Sequence, residues 1–131
     1  MDIHVYWEDD QKIIIRQVYD MTWTWEEFVA AIEEIRRLES EVAHPIGMIS
    51  EIGRIKSVPS NAILHGSRAI RRLPEDIVLT VVVTTSPLIL SLLSVILTLT
   101  QFKNIKTAPS VTVARLMIMR KLGLSTDKTL T

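Results

Sequence analysis

A chain of 131 residues, 47% of them hydrophobic, is long enough for one domain that buries about two thirds of its unfolded surface. It has no cysteine, which excludes disulfide staples, thiolate catalysis and cysteine metal sites and suits a reducing compartment. Its 15 Lys and Arg balance 15 Asp and Glu, but unevenly: residues 1–53 hold 12 acidic and 4 basic side chains, net −8, and residues 54–131 are net +8.

The first five residues, Met1-Asp2-Ile3-His4-Val5, lack the basic-then-apolar pattern of a secretory leader, so the cytoplasm is the expected location. Ile3 to Trp7 reads as a strand. The polar turn Glu8-Asp9-Asp10-Gln11 leads into a second strand over Lys12–Tyr19. So short a turn makes the two antiparallel neighbours. Thr24 and Glu27 then form a capping box, with Trp23 and Phe28 as the hydrophobic staple. The helix they open carries Phe28, Ala31, Ile32 and Ile35 on one stripe, runs to about Glu41 and is stopped at His44-Pro45.

Ile46–Ile52 reads as a third strand. After a loop, Ser60 is the expected N-cap of a helix from Asn61 to about Arg72, stopped at Leu73-Pro74. Ile77–Phe102 holds 26 uncharged residues, a length that could span a bilayer. Its first part, Ile77–Val83, is β-branched like a buried strand. Thr84-Thr85-Ser86-Pro87 breaks it with an N-cap and a first-turn proline. Ser91, Ser94, Thr98 and Gln101 then place a polar stripe along a helix over Pro87–Gln101. A strand followed by a helix, with no membrane role, is the expectation. Lys103–Thr107 reads as a short fifth strand. Ser110 caps a fourth helix that ends near Gly123, and the tail Ser125–Thr131 reads as flexible.

The order β-β-α-β-α-β-α-β-α predicts a single α/β domain over residues 1–124. Its five-stranded sheet is mixed and mostly parallel, with one antiparallel edge strand and four helices. Ligands of open α/β sheets bind at the carboxyl ends of the strands. Ser60, Asn61, Thr84, Thr85, Ser86, Thr107 and Ser110 fall at those junctions, near helix N-termini that favour anions. Their hydroxyls serve either as ordinary caps or as a rim for an anion such as phosphate, and as caps alone they need no further explanation.

Other side chains carry weaker signals. His4, His44 and His65 lack the paired spacings of zinc ligands, and no metal or cofactor is expected. Glu51, in the third strand, is either a carboxylate held near the rim or a strand-end group paired with Arg54. His65, Arg68 and Arg72 share one helix stripe and, with Arg54 and Lys56, make a basic patch. No aromatic interleaves it, so a solvated helix face or a dock for an acidic protein surface is favoured over nucleic acid. The Pro87–Gln101 helix has more Leu and Ile than one core face needs. Leu88, Leu92, Val95, Ile96 and Leu99 form a candidate interface, and a homodimer is expected through it.

Thr24-Trp25-Glu26-Glu27, Leu73-Pro74 before a strand, and the lead from Thr107 to Ala114 accompany an element order that resembles the STAS-like (SpoIIAA-like) family. The resemblance covers Ile3 to about Leu122. It implies a non-enzymatic regulatory module acting by protein–protein contact. Val58-Pro59-Ser60-Asn61 matches the segment in which that family carries a phosphorylated serine or threonine, which makes Ser60 the candidate phosphorylation site; the family's preceding Asp and following Gly are absent here. Two other functions are open on the residues: a small-molecule, nucleotide or lipid binder using the rim or an apolar pocket beside the third helix, and an enzyme built on Glu51, Ser60 and His65.

Overall fold

The computed structural model describes residues 2–53 and 57–124. The expected tail from Ser125, and Arg54 and Lys56 of the basic patch, lie outside them. The chain runs β1 (Ile3–Trp7), β2 (Ile14–Tyr19), α1 (Trp25–Glu39), β3 (Ile46–Ile52), α2 (Ala62–Arg71), β4 (Ile77–Val83), α3 (Pro87–Thr100), β5 (Ile105–Ala108) and α4 (Val111–Lys121). The five strands form one sheet in the order β1-β2-β3-β4-β5. β1 is antiparallel to β2 and every other pair is parallel. This is the α/β layout expected from the sequence.

The strand order explains where the helices lie. Each parallel step moves one strand further in the same direction, and right-handed crossovers then put every connecting helix on one face. α1, α2 and α3 therefore share a face. α4 follows the last of these strands and covers the other, packing on β3, β4 and β5. Side chains alternate between the faces. Ile15, Gln17 and Tyr19 of β2, Met48, Ser50 and Ile52 of β3, and Thr80 and Val82 of β4 point toward α1–α3. Ile14, Ile49, Leu79 and Val81 pack with Ala114 and Ile118 under α4.

Local signals set the boundaries. The capping box forms as read: the Thr24 hydroxyl accepts from Glu27 N at 3.2 Å, and the Glu27 carboxylate accepts from Thr24 N at 3.0 Å. The staple pair Trp23 and Phe28 meets at 5.8 Å between ring centroids. β2 starts two residues later than expected because Lys12 takes a left-handed φ of 54° and still belongs to the turn. Ile77–Val83 and Pro87–Thr100 are separate, one a central strand and one a 14-residue helix. At 1.5 Å per residue that helix is about 21 Å long, short of the ~30 Å hydrocarbon core. Among the described residues no helix is long and apolar enough to cross a membrane.

Gly47 lets α4 lie directly on β3. A Cβ at Gly47 would sit 2.3 Å from Ile118 Cγ2, a separation no packed structure holds. Beside this seam Glu8 accepts two bonds from Arg115, at 3.0 Å from Nε and 2.6 Å from Nη2. Arg16 reaches Glu8 at 3.4 Å and also bonds Glu51. Glu51 is thus held by Arg16 of the neighbouring strand; Arg54, the partner expected from the sequence, lies outside the described residues.

Candidate ligand cavity

α2 and α3 pack against each other, with Ile96 of α3 filling the notch above Gly66 of α2, and reach the sheet through Ala69, Ile70, Ile89 and Ile96. A cavity of about 150 Å³ lies beneath them. Its floor is the inward face of β2, β3, β4 and β5, and its walls come from the start of α1, from α2 and from α3. Most of the lining is apolar, and the space is partly open to solvent.

An aromatic cluster closes one end. Trp23 meets Trp25 edge-on at 4.9 Å, Trp25 meets Phe28 at 5.2 Å, and Tyr19 meets Trp23 at 5.2 Å. Such edge-to-face pairs are favoured by the ring quadrupoles. Trp25 also stacks on His65 at 4.5 Å and donates its Nε1 hydrogen to the Ser60 carbonyl at 2.6 Å. These two contacts tie the start of α1 to the start of α2. Burial raises the Tyr19 phenol well above its ordinary range, so it stays neutral.

Three polar side chains interrupt the floor: Gln17, Ser50 and Thr80, all buried. Gln17 and Ser50 are register partners in the parallel β2–β3 pair, and the Ser50 hydroxyl donates to Gln17 Oε1 at 2.7 Å. Among the described residues the Gln17 Nε2 group has no partner, and neither does the indole Nε1 of Trp23. Turning the amide over exchanges its ends without adding a partner, because Ser50 reaches only one of them. Leaving a buried polar group unpaired costs about 1–3 kcal/mol. Gln17 is only 2% exposed and lines the cavity. The Nε2 atom itself is closed to a water-sized molecule.

The hydroxyls read as a rim lie elsewhere, at the carboxyl edge of the sheet. Ser86 accepts from Ile89 N at 3.4 Å, Ser110 from Val113 N at 3.2 Å, and Thr84 from Ser86 N at 3.1 Å. Each thus serves its own chain as a cap or turn. Ser110 opens the helix of the opposite face, and Thr85 and Thr107 are exposed. Ser60 does not cap α2. Asn61 holds that position in the left-handed region, which asparagine tolerates, and makes no side-chain cap bond. Ser60 is exposed, one residue before it.

The candidate interface divides. Leu88, Val95 and Leu99 are 52%, 43% and 61% exposed, whereas Leu92 lines the cavity and Ile96, at 7%, is core. Of the basic stripe, Arg68 is exposed, Arg72 bonds Glu33 at 2.6 Å, and His65 lies against Trp25. His4 bonds Asp20 at 3.2 Å. Among the described residues no three His, Asp or Glu side chains gather where a metal ion could be held. Glu51, Ser60 and His65 form no hydrogen bond to one another among the described residues.

The sequence reading missed Gln17, Ser50 and Thr80. A signal was present: each occupies an inward phase of its strand, between apolar neighbours of the same phase. Comparison with known proteins finds no matching family model, no matching curated protein and no matching solved structure.

Proposed function

We propose that this chain is a non-enzymatic binding module that takes a small, mostly apolar molecule between its sheet and the α1–α3 layer. The observation that carries this reading is a cavity of about 150 Å³ walled by aromatic and aliphatic side chains, with Gln17, Ser50 and Thr80 as the few polar residues of its floor. A pocket with few, placed polar groups on an apolar wall is the usual form of a small-molecule site. Trp23 and Trp25 line it, so occupancy is readable in the protein's own fluorescence. Titrating the full chain with small aromatic and aliphatic molecules should give saturable fluorescence changes and raise Tm by mass action. A flat response across the panel, in both readouts, removes the proposal.

A second reading keeps the regulatory role that the SpoIIAA resemblance implies, in the cytoplasm and through protein contact. Leu88, Val95 and Leu99 on the outer side of α3 support it, since three large apolar groups on one helix can seat a partner or a second copy. The exposed Ser60 supports its switch, because phosphate placed there adds charge without disturbing packing. Light scattering should report a native dimer that Leu99→Glu converts to monomer. A native chain already monomeric at high concentration counts against the dimer.

A further inference from the structure

We propose that copies of this chain associate head to tail, the β5 edge of one adding to the β1 edge of the next so that the sheet continues across the contact. The proposal rests on neither the cavity nor the outer side of α3. Strand order follows chain order from β1 to β5, so the acidic first half and the basic second half of the sequence stand side by side along the sheet. Among the described residues, 2–53 hold 12 acidic and 4 basic side chains, and 57–124 hold 2 acidic and 8 basic.

The bonds already made fix which backbone groups each edge offers. Asp20 N–H donates to the Asp2 carbonyl at 2.8 Å, and Glu8 N–H to the Ile14 carbonyl at 2.9 Å. Such pairs alternate along an antiparallel ladder, so residues 2, 4, 6 and 8 face β2, and Ile3, Val5 and Trp7 turn their N–H and C=O outward. At the other edge Thr80 N–H donates to the Asn104 carbonyl at 2.9 Å and Thr84 N–H to the Ala108 carbonyl at 3.3 Å. Residues 104, 106 and 108 therefore face β4, and Ile105 and Thr107 face outward. Ile3 is fully buried, whereas Val5 and Trp7 are half-buried, Thr107 is exposed, and Ile105 keeps 6% exposure although its side chain is in the core. Val5 and Trp7 are thus the open pair on β1, and Ile105 and Thr107 the open pair on β5.

β5 runs parallel to β2, and β1 runs against it. A second copy shifted along the sheet therefore sets its β1 antiparallel to β5 of the first. Pairing Val5 with Thr107 and Trp7 with Ile105 uses all four open residues and leaves the buried Ile3 opposite Pro109, which has no N–H to place. The faces stay in step, since Trp7 and Ile105 both point toward the α1–α3 side. Charge selects this unlike pairing. Exposed Lys103 falls opposite exposed Asp9, with Asp10 beside it, and exposed Lys106 falls opposite Tyr6. Two β1 edges would instead bring Asp2 of each copy toward Glu8, Asp9 and Asp10 of the other, and two β5 edges would set Lys106 against Lys106. Opposed like charges destabilise a strand pair and opposite charges support it, and an edge lysine is a common guard against pairing of like edges.

Sedimentation velocity on the full chain tests this. Mass should rise past the dimer with concentration, because a head-to-tail contact does not close, and association should weaken several-fold between about 0.05 and 0.5 M salt. Val5→Pro removes an outward N–H from β1 and Thr107→Pro one from β5, at positions that give nothing to the existing ladder. Each variant alone should stay monomeric. An equal mixture should form a dimer through its one intact β5–β1 contact and stop there. In the wild type, the Val5 and Thr107 amides should exchange with solvent more slowly in concentrated than in dilute solution, a readout that does not depend on the variants folding. A wild type that stays monomeric at high concentration overturns the proposal. So does a single variant that still dimerises, which would make the contact like with like, and so does association that Leu99→Glu abolishes, which would assign it to α3.

Discussion

The two faces of this sheet are built on opposite terms. Under α4 the packing is close enough that one methyl group decides it: Gly47 leaves room for Ile118 and nothing more. Under α2 and α3 the helices meet the sheet through a few side chains, Ile70, Ile89 and Ile96 on Val82 and Ile105, and leave a cavity of about 150 Å³ beside those contacts. Each face has one glycine at its critical contact, and the two differ in what they touch. Gly47 faces Ile118 Cγ2, a branch methyl fixed close to its own backbone. Gly66 faces Ile96 Cδ1, at 2.7 Å from a virtual Cβ, the mobile end of a side chain beside a cavity. A tight seam holds the fold on one face, and the other keeps a cavity.

The largest test of that contrast is Gly47→Ala. Its added methyl can be accommodated only by lifting α4, so unfolding in urea should show a loss of about 2–3 kcal/mol, at the upper end of overpacking costs. Little change would mean that α4 is not held tightly. Next is Gln17→Leu with Ser50→Ala, which replaces a half-satisfied polar pair by apolar groups. The same titration should show a gain of about 1 kcal/mol, because an unpaired buried amide disappears. A loss larger than that would show that the pair is part of the scaffold. Smaller still is Gly66→Ala. Ile96 can swing its end toward the cavity, and alanine gains about 1 kcal/mol of helix propensity over glycine, so stability should stay within about 0.5 kcal/mol. A loss like that of Gly47→Ala would erase the distinction between the faces.

The smallest effect is a pH dependence outside both seams. The Glu27 carboxyl is held below the ordinary carboxylate range, first by the Asp2 backbone N–H and then by Thr24, against some desolvation. A group whose value is depressed on folding contributes stability above its unfolded value, and that contribution is lost as pH falls through the folded one. Tm should therefore fall on acidification, and Glu27→Gln should flatten the slope slightly. Equal slopes would show that the Asp2 contact does not persist in solution.

The fold was legible because its punctuation is local. Thr24 with Glu27, Ser86 with Pro87, and Ser110 mark helix starts through bonds within three residues, and the structure makes all of them. Asn61 was misjudged because nothing local separates a serine cap from a left-handed asparagine one residue on. Ile96 was placed at the interface because a helix with more Leu and Ile than one face needs does not show which of its apolar sides is buried. The pairing of Glu51 with Arg16 depends on the parallel register of β2 and β3, and Arg16 lies 35 residues away in sequence. The cavity was least legible. It arises beside the few side chains through which two helices meet a sheet, and only Gln17, Ser50 and Thr80, polar at inward positions, hinted at it.

The bond between Glu8 and Arg115 joins residues 107 apart in sequence. Contacts so distant close late, since the intervening chain must be ordered first. While the protein is being made, the hairpin of β1 and β2 thus shows solvent a carboxylate and the Arg16 guanidinium that await their last partner. Synthesis has to pass residue 115 before this side of the domain can lock, and a chain cut just before α4 would emerge with that charged surface open.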